Sequence, residues 1–133
     1  MLKKQHKQRV LIVDDDELIC ELIAEEVSDL GYEVTQALSA DQAIAELKAS
    51  QFDLMVTDQS MPDMTGIELI HQASKLTQSK IDKYILITGY GEEIMQEFEK
   101  ELADKIGFVA KPFKRDAIER AIDEILEKNP KVA

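Results

Sequence analysis

Five short segments rich in apolar residues recur along the chain and predict β-strands. Four of them, at residues 10–13, 54–56, 84–87 and 108–110, contain no regular polar alternation. Uninterrupted apolar runs of this length are typical of strands in a parallel sheet that is covered on both faces. The fifth segment, at residues 32–37, mixes apolar and polar residues more evenly and therefore predicts a less buried strand.

Between the strands, apolar residues recur every three or four positions, which predicts an amphipathic helix in each interval. Ser39 with Gln42, and Thr65 with Glu68, have the spacing of a capping box at a helix start, and Gly31 suits the end of the first helix. The apolar positions of the five helices are Leu18, Ile19, Leu22, Ile23, Val27 and Leu30; Ala43, Ile44 and Leu47; Ile67, Ile70 and Ala73; Ile94, Phe98 and Leu102; and Ile118, Ala121, Ile122, Ile125 and Leu126.

Strand and helix alternate five times, and this order predicts an α/β fold. Right-handed crossovers then give a parallel, doubly wound sheet with helices on both faces. No internal repeat or linker interrupts the pattern, so we predict a single domain over residues 1–133, with its core at about residues 9–128.

Composition narrows the classes of function. The chain has 16 basic and 27 acidic residues and a formal net charge of −11, which argues against direct binding to nucleic acid. No apolar run reaches the roughly 20 residues of a membrane helix, and no apolar segment of signal-peptide type follows the basic N-terminus. The single cysteine, Cys20, has no partner for an internal disulfide. We therefore expect a cytoplasmic protein without a membrane span.

Charged and polar residues follow the predicted strands at their carboxyl ends, where open parallel sheets bind ligands. They are Asp14 and Asp15 after the first strand, Asp58 after the third, Thr88 after the fourth and Lys111 after the fifth. Three carboxylates about 5 Å apart would repel by roughly 3 kcal/mol per pair at an effective dielectric near 20. Hard oxygen ligands without nearby His or Cys favour Mg²⁺ as the compensating ion. Phosphoryl transfer uses such an arrangement, and we hypothesise that Asp58 is a covalent phosphoryl acceptor.

The motifs VLIVDDDE, DLMVTDQSMPDMTG, YILITGYGE and GFVAKPF resemble the four signatures of the receiver domain of two-component response regulators. The resemblance extends from about residue 9 to residue 128, in the order and spacing of the family. It implies a flavodoxin-like (βα)5 fold with strand order 2-1-3-4-5 and Mg²⁺ as cofactor. It also implies a role in phosphorelay signal transduction, with a sensor histidine kinase or histidine phosphotransfer domain as one partner and a downstream output protein or domain as the other.

Transferred residue by residue, the resemblance makes Asp58 the acceptor of phosphate from a phosphohistidine. It implies that Asp15 binds Mg²⁺ directly, that Asp14 binds it directly or through water, and that the backbone carbonyl of Ser60 adds another ligand. Thr88 would hydrogen-bond the phosphoryl group.

The last family signature implies roles for Lys111 and Phe108. Lys111 would pair with the phosphoryl group, and its peptide bond to Pro112 is expected to be cis. Phe108 matches the aromatic residue that changes rotamer on activation. A bulky Tyr90, two residues after Thr88, is expected to shield the site from water and prolong the phosphorylated state.

Simpler interpretations stay open for several residues. Asp16 is expected only to cap the first helix, and His71 to lie on the surface of a helix. An aromatic residue at a strand start, such as Phe108, is more often an ordinary core residue than a switch.

Two other classes of function also stay open. The same fold holds flavin or other small ligands in some proteins, although acids after the first strand disfavour an anionic cofactor. The second alternative is a protein-binding module that has lost the phosphorylation chemistry. Such a module would not need to retain all five site residues, whereas this chain has them.

Overall fold

The structure, a computed structural model, describes residues 7–89 and 98–126, and of Arg115 it describes the backbone alone. The strands are β1 (Arg9–Val13), β2 (Glu33–Ala37), β3 (Leu54–Asp58), β4 (Tyr84–Thr88) and β5 (Ile106–Ala110). The helices are α1 (Glu17–Asp29), α2 (Ala40–Ala49), α3 (Gly66–Ser74), α4 (Lys100–Ala103) and α5 (Arg115–Leu126). Tyr90 and Ile94 lie outside the described residues, so the predictions made for them stay predictions.

All the strand pairs are parallel, and the order of the sheet is β2-β1-β3-β4-β5, as expected. β3 and β4 are buried along their whole length, whereas β2 forms one edge and is half exposed. The continuous apolar runs were correct for β1, β3 and β4, which are central. They were misleading for β5, which has the same kind of run but forms the other edge of the sheet and is only partly buried. β3, β4 and β5 extend by one or two residues beyond the predicted apolar runs, because strand pairing continues through Asp58, Thr88 and Ile106.

Successive strand residues pack into two different apolar layers, one on each face of the sheet. In β1, Leu11 and Val13 join the layer that contains α2 and α3, while Val10 and Ile12 join the layer that contains α1 and α5. This two-sided burial explains why the central strands carry no polar alternation. Within the described residues, no helix is both long and apolar enough to cross a membrane.

The helix ends agree with most of the predicted caps. Asp16 accepts hydrogen bonds from the N–H groups of Leu18 and Ile19 at the start of α1, and Gly31 follows that helix with φ +103°. Thr65 and Glu68 form the complete capping box predicted for α3.

The predicted capping box of α2 is only half correct. Ser39 accepts from the N–H of Gln42, but the side-chain oxygen of Gln42 accepts from Leu38, one residue before the cap.

Three predictions about apolar residues of the helices were wrong in part. Phe98 was predicted within the fourth helix, but it is a buried residue that precedes α4. Leu18, Leu22 and Leu30 have helical spacing, yet they are 63%, 55% and 37% exposed, because the buried side of α1 is formed by Cys20, Ile23, Ala24 and Val27. In α3, Ile67 is only half buried, and Leu69 is a fully buried core residue that the pattern did not identify. Of the predicted α5 face, Ile118, Ala121, Ile122 and Ile125 are buried, whereas Leu126 is half buried.

Candidate functional site

The residues predicted at the carboxyl ends of the strands lie together along one edge of the sheet, the edge that those strand ends form. Asp58 and Thr88 are the last residues of β3 and β4, and Asp14 and Lys111 directly follow β1 and β5. The N–H of Asp14 donates to the carbonyl of Ala37 at 3.2 Å, and the N–H of Lys111 donates to the carbonyl of Thr88 at 3.0 Å. Sheet pairing therefore continues past the strand ends and fixes the backbone from which these side chains extend.

Three carboxylates meet at this edge. One oxygen each from Asp14, Asp15 and Asp58 lies within 4.8 Å of the other two. Asp14 and Asp58 are 5% and 3% exposed, whereas Asp15 is open to solvent. The three residues therefore form a half-buried acidic cluster, whose carboxylate oxygens lie close enough together to hold a metal ion.

The buried charge of Asp14 is disfavoured in the absence of a cation. Burial raises its pKa above the usual value of 3.8, and the charges of Asp58 and Asp15 raise it further. The hydrogen bond from the N–H of Asp16, at 2.9 Å, and the charge of Lys111 oppose this rise in pKa. Desolvation penalises the charged form, so a cation bound to the cluster would relieve that penalty.

Asp58 has two carboxylate oxygens in different surroundings. Oδ2 accepts a hydrogen bond from the N–H of Ser60 at 3.0 Å. Oδ1 lies 2.6 Å from the Nζ of Lys111, although the pair lacks hydrogen-bond geometry and Oδ1 accepts no hydrogen bond from the described residues. Lys111 stays 44% exposed at its side chain. Its peptide bond to Pro112 is cis, as the resemblance implied.

A cleft of about 700 Å³ opens above these side chains. The predicted residues that line it are Asp14, Asp15, Asp58, Ser60 and Lys111. Ile19 and Phe113 also line the cleft, and no feature of the sequence distinguishes them from other apolar residues near a helix start.

Thr88 and Phe108 do not line this cleft. Thr88 is 2% exposed at the end of β4. Phe108 lies in β5 opposite Leu86 and packs, half buried, against the apolar layer of α2 and α3. That position is compatible both with a core residue and with the predicted rotamer switch, which therefore stays a prediction.

Two residues beside Asp58 were not identified from the sequence. Gln59 accepts hydrogen bonds from the start of α3 through both its carbonyl and its side chain. A Cβ atom on Gly66 would lie 2.6 Å from the carbonyl oxygen of Asp58 and 2.6 Å from the Cδ1 of Leu86. The glycine itself was the available signal, because glycine is the residue used where a backbone must be approached closely.

Comparison with known proteins identifies the family. A sequence model of the response regulator receiver domain matches residues 10–123, which is most of the chain. This chain belongs to the response regulator receiver domain family. The fold and the family predicted from the motifs are thereby confirmed.

Two of the similar proteins match this chain along nearly their whole length. Sporulation initiation phosphotransferase F of Bacillus subtilis (strain 168) is 34% identical over 119 residues, covering 90% of this chain and 94% of that protein. The structure of chemotaxis protein CheY4 of Vibrio cholerae aligns with a TM-score of 0.80 and 27% identity, covering 90% of this chain and 99% of the other.

A third relative was solved with ligands. The response regulator protein TrrA of Thermotoga maritima, in complex with Mg(2+)-BeF, aligns with a TM-score of 0.73 and 28% identity, covering 89% of this chain and 98% of that one.

Membership of the family establishes the general role of the chain. Receiver domains of two-component systems are phosphorylation-controlled switches that interact with histidine kinases and output domains. The prediction of a receiver domain rather than a flavin-binding protein of the same fold is therefore confirmed.

Proposed function

We propose that Asp58 accepts a phosphoryl group from a phosphohistidine on a sensor histidine kinase or a histidine phosphotransfer domain. A carboxylate oxygen of Asp58 would attack phosphorus and form a new P–O bond while the P–N bond to histidine breaks. The electron pair of that bond stays with the imidazole of the donor, and Asp58 becomes an acyl phosphate. The observation that carries this proposal is the nearly buried Asp58 carboxylate, held between the N–H of Ser60 and the Nζ of Lys111 beside two further aspartates.

We infer that the acidic cluster holds Mg²⁺. The donor set fits this ion, because all three side chains offer carboxylate oxygens and no His or Cys stands among them. Asp15 would bind the ion directly, Asp14 directly or through water, and Asp58 and the backbone carbonyl of Ser60 would complete the protein ligands. A bound Mg²⁺ supplies positive charge next to the transferred phosphoryl oxygens. The Mg(2+)-BeF bound in the Thermotoga maritima relative supports this assignment.

Lys111 and Thr88 supply the remaining polar groups in the proposal. The ammonium group of Lys111 would leave its contact with the Asp58 carboxylate and move to the phosphoryl oxygens. After transfer these oxygens carry more negative charge than the carboxyl group of Asp58. Thr88 would donate its hydroxyl hydrogen to the phosphoryl group. A move of Thr88 would leave space for Phe108 to change rotamer, since both residues lie on neighbouring strands, β4 and β5.

The phosphorylated surface would then bind a downstream output protein or domain. We further propose a cytoplasmic location for this switch and no direct contact with nucleic acid, as the net charge of −11 suggests.

The proposal is tested by intact-mass spectrometry after incubation with Mg²⁺ and acetyl phosphate. The natural chain is compared with Asp58→Asn and with Asp63→Asn, a matched control in the exposed part of the following loop. We expect one phosphoryl adduct on the natural chain and on the control, none on Asp58→Asn, and none when Mg²⁺ is removed by a chelator.

Two results would overturn the proposal. An adduct of equal yield on Asp58→Asn would place the acceptor elsewhere. The absence of any adduct on the folded natural chain would favour the alternative of a protein-binding module that works without phosphorylation.

A further inference from the structure

Gln59, the residue directly after Asp58, makes hydrogen bonds through three different groups. Its N–H donates to the carbonyl of Ile87 at 2.9 Å, which extends the pairing of β3 with β4 by one residue. Its carbonyl accepts from the N–H of Gly66 at 3.0 Å, and its side-chain Oε1 accepts from the N–H of Ile67 at 2.9 Å. Gln59 therefore joins the edge of the sheet to the first turn of α3.

These contacts close the loop of residues 60–65 at its base. The first N–H groups of a helix have no partner within the helix and need acceptors from outside. Gln59 supplies two of them, for Gly66 and Ile67, and the Thr65 side chain supplies the next, for Glu68. Both ends of the loop are thus held at one residue, and Ser60 lies at the beginning of that loop.

The side chain of Gln59 is on the opposite side of the sheet from the phosphorylation site. Along β3, Met55 packs into the layer of α2 and α3, whereas Leu54 and Val56 pack into the layer of α1 and α5. By the same alternation, Asp58 and Gln59 point to opposite faces. Gln59 can therefore act on the site only through the backbone that it holds.

We propose that the side chain of Gln59 is a positioning residue for the metal site. By anchoring α3 to residue 59, it fixes the loop from which the Ser60 N–H donates to Asp58 and from which the Ser60 carbonyl would bind Mg²⁺. This inference rests on the proposed Mg²⁺-dependent function. Partners that orient metal ligands from a distance commonly change metal affinity by 10-fold to 100-fold when they are removed.

The test compares Mg²⁺ affinity among four forms of the full chain. Gln59→Met keeps the length of the side chain but removes the acceptor, whereas Gln59→Glu keeps an acceptor oxygen for Ile67. Gln72→Met makes the same chemical change at an exposed position of α3 and serves as the matched control. Mg²⁺ is titrated into each ¹⁵N-labelled protein, dissociation constants are taken from the amide shifts of Asp14, Asp15 and Asp58, and hydrogen exchange is measured at Ile67.

We expect a dissociation constant about 10-fold weaker for Gln59→Met than for the natural chain, with faster exchange at Ile67. We expect Gln72→Met to match the natural chain, and Gln59→Glu to bind Mg²⁺ at least as well as the natural chain and to keep Ile67 protected. If Gln59→Met does not fold, Gln59→Asn, which is one methylene too short to reach Ile67, takes its place with the same expectation.

Two results would contradict these expectations, and each has a different meaning. Equal Mg²⁺ affinity for Gln59→Met and the natural chain, even with a lower melting temperature, would reduce Gln59 to a structural role and overturn the inference alone. No Mg²⁺ binding by the natural chain at the three aspartates would overturn the proposed function itself.

Discussion

Gly66→Ala tests the close packing of the start of α3 against β3, the strand that ends at Asp58. The added methyl carbon would lie 2.6 Å from the carbonyl oxygen of Asp58, 2.6 Å from the Cδ1 of Leu86 and 3.1 Å from the Cα of Gln59. Ordinary contact begins at 3.4 Å, so the first two atoms must each retreat by about 0.8 Å. Leu86 is fully buried and the other two atoms belong to the backbone, so the strain cannot be relieved by an exposed side chain.

The expected cost follows from two opposing effects. Overpacking a filled core costs about 1–3 kcal/mol, whereas Ala in place of Gly in a helix recovers at most about 1 kcal/mol. The net loss should be about 1–2 kcal/mol of unfolding free energy, which corresponds to a melting temperature lower by roughly 4–8 °C for a domain of this size. A displaced Asp58 should also slow Mg²⁺-dependent phosphorylation by about 10-fold, since an error of 1 Å can cost up to about 100-fold.

Urea unfolding followed by circular dichroism and phosphorylation by acetyl phosphate together check this prediction. Gly107→Ala is the control, because a Cβ there meets its nearest atom at 3.6 Å, which is ordinary contact. The reasoning is refuted if Gly66→Ala unfolds at the same urea concentration as the natural chain and is phosphorylated at the same rate.

Three further predictions concern charge and burial. Burial and the neighbouring acids raise the pKa of Asp14, so the metal-free protein should lose stability as pH rises from 3.8 through the raised pKa. In chelator at pH 7, Asp14→Asn should therefore melt at a higher temperature than the natural chain. A lower melting temperature of the variant would contradict this. The same variant should lose most of the stabilisation that Mg²⁺ gives the natural chain in a thermal melt, and an unchanged Mg²⁺ response would remove Asp14 from the metal site. Burial raises the pKa of Cys20 to about 11, so iodoacetamide at pH 8 should leave the native thiol unmodified and alkylate it in urea; equal rates in both conditions would show that Cys20 is accessible.

The sequence was most informative about the sheet. Apolar runs without alternation are typical of strands buried on both sides, and they identified the central strands β1, β3 and β4, although β5 with the same kind of run is an edge strand. The ends of these runs also marked the edge at which Asp14, Asp58, Thr88 and Lys111 lie. Parallel strands bring their carboxyl ends together, and the position of these residues therefore followed from the order of elements alone.

Helix α1 shows the limit of apolar periodicity. Leu18 and Leu22 have the spacing of buried residues, but the helix turns Cys20 and Ala24 inward instead. Six apolar positions in a helix of this length cover more than one face, and periodicity does not decide which side packs against the sheet.

Contacts between a backbone and a distant side chain were not predicted either. Gln59 accepts a hydrogen bond from Ile67, eight residues away, and Gly66 leaves no room for a Cβ atom beside the carbonyl of Asp58, because the loop of residues 60–65 returns to its starting point. Of the two predicted capping boxes, that of Thr65 and Glu68 is complete. In the other, the side chain of Gln42 accepts from the N–H of Leu38 instead of that of Ser39, a difference of one residue that the spacing does not predict.

The central claim, transfer of a phosphoryl group to Asp58, is tested most directly by locating the acyl phosphate. Borohydride reduces an aspartyl phosphate to homoserine, which tandem mass spectrometry of the digested protein assigns to one position. After phosphorylation with Mg²⁺ present, we predict homoserine at position 58 and at no other aspartate, and none when Mg²⁺ is withheld. Homoserine at Asp14, Asp15 or Asp63 instead, or equal yield without Mg²⁺, would contradict the account.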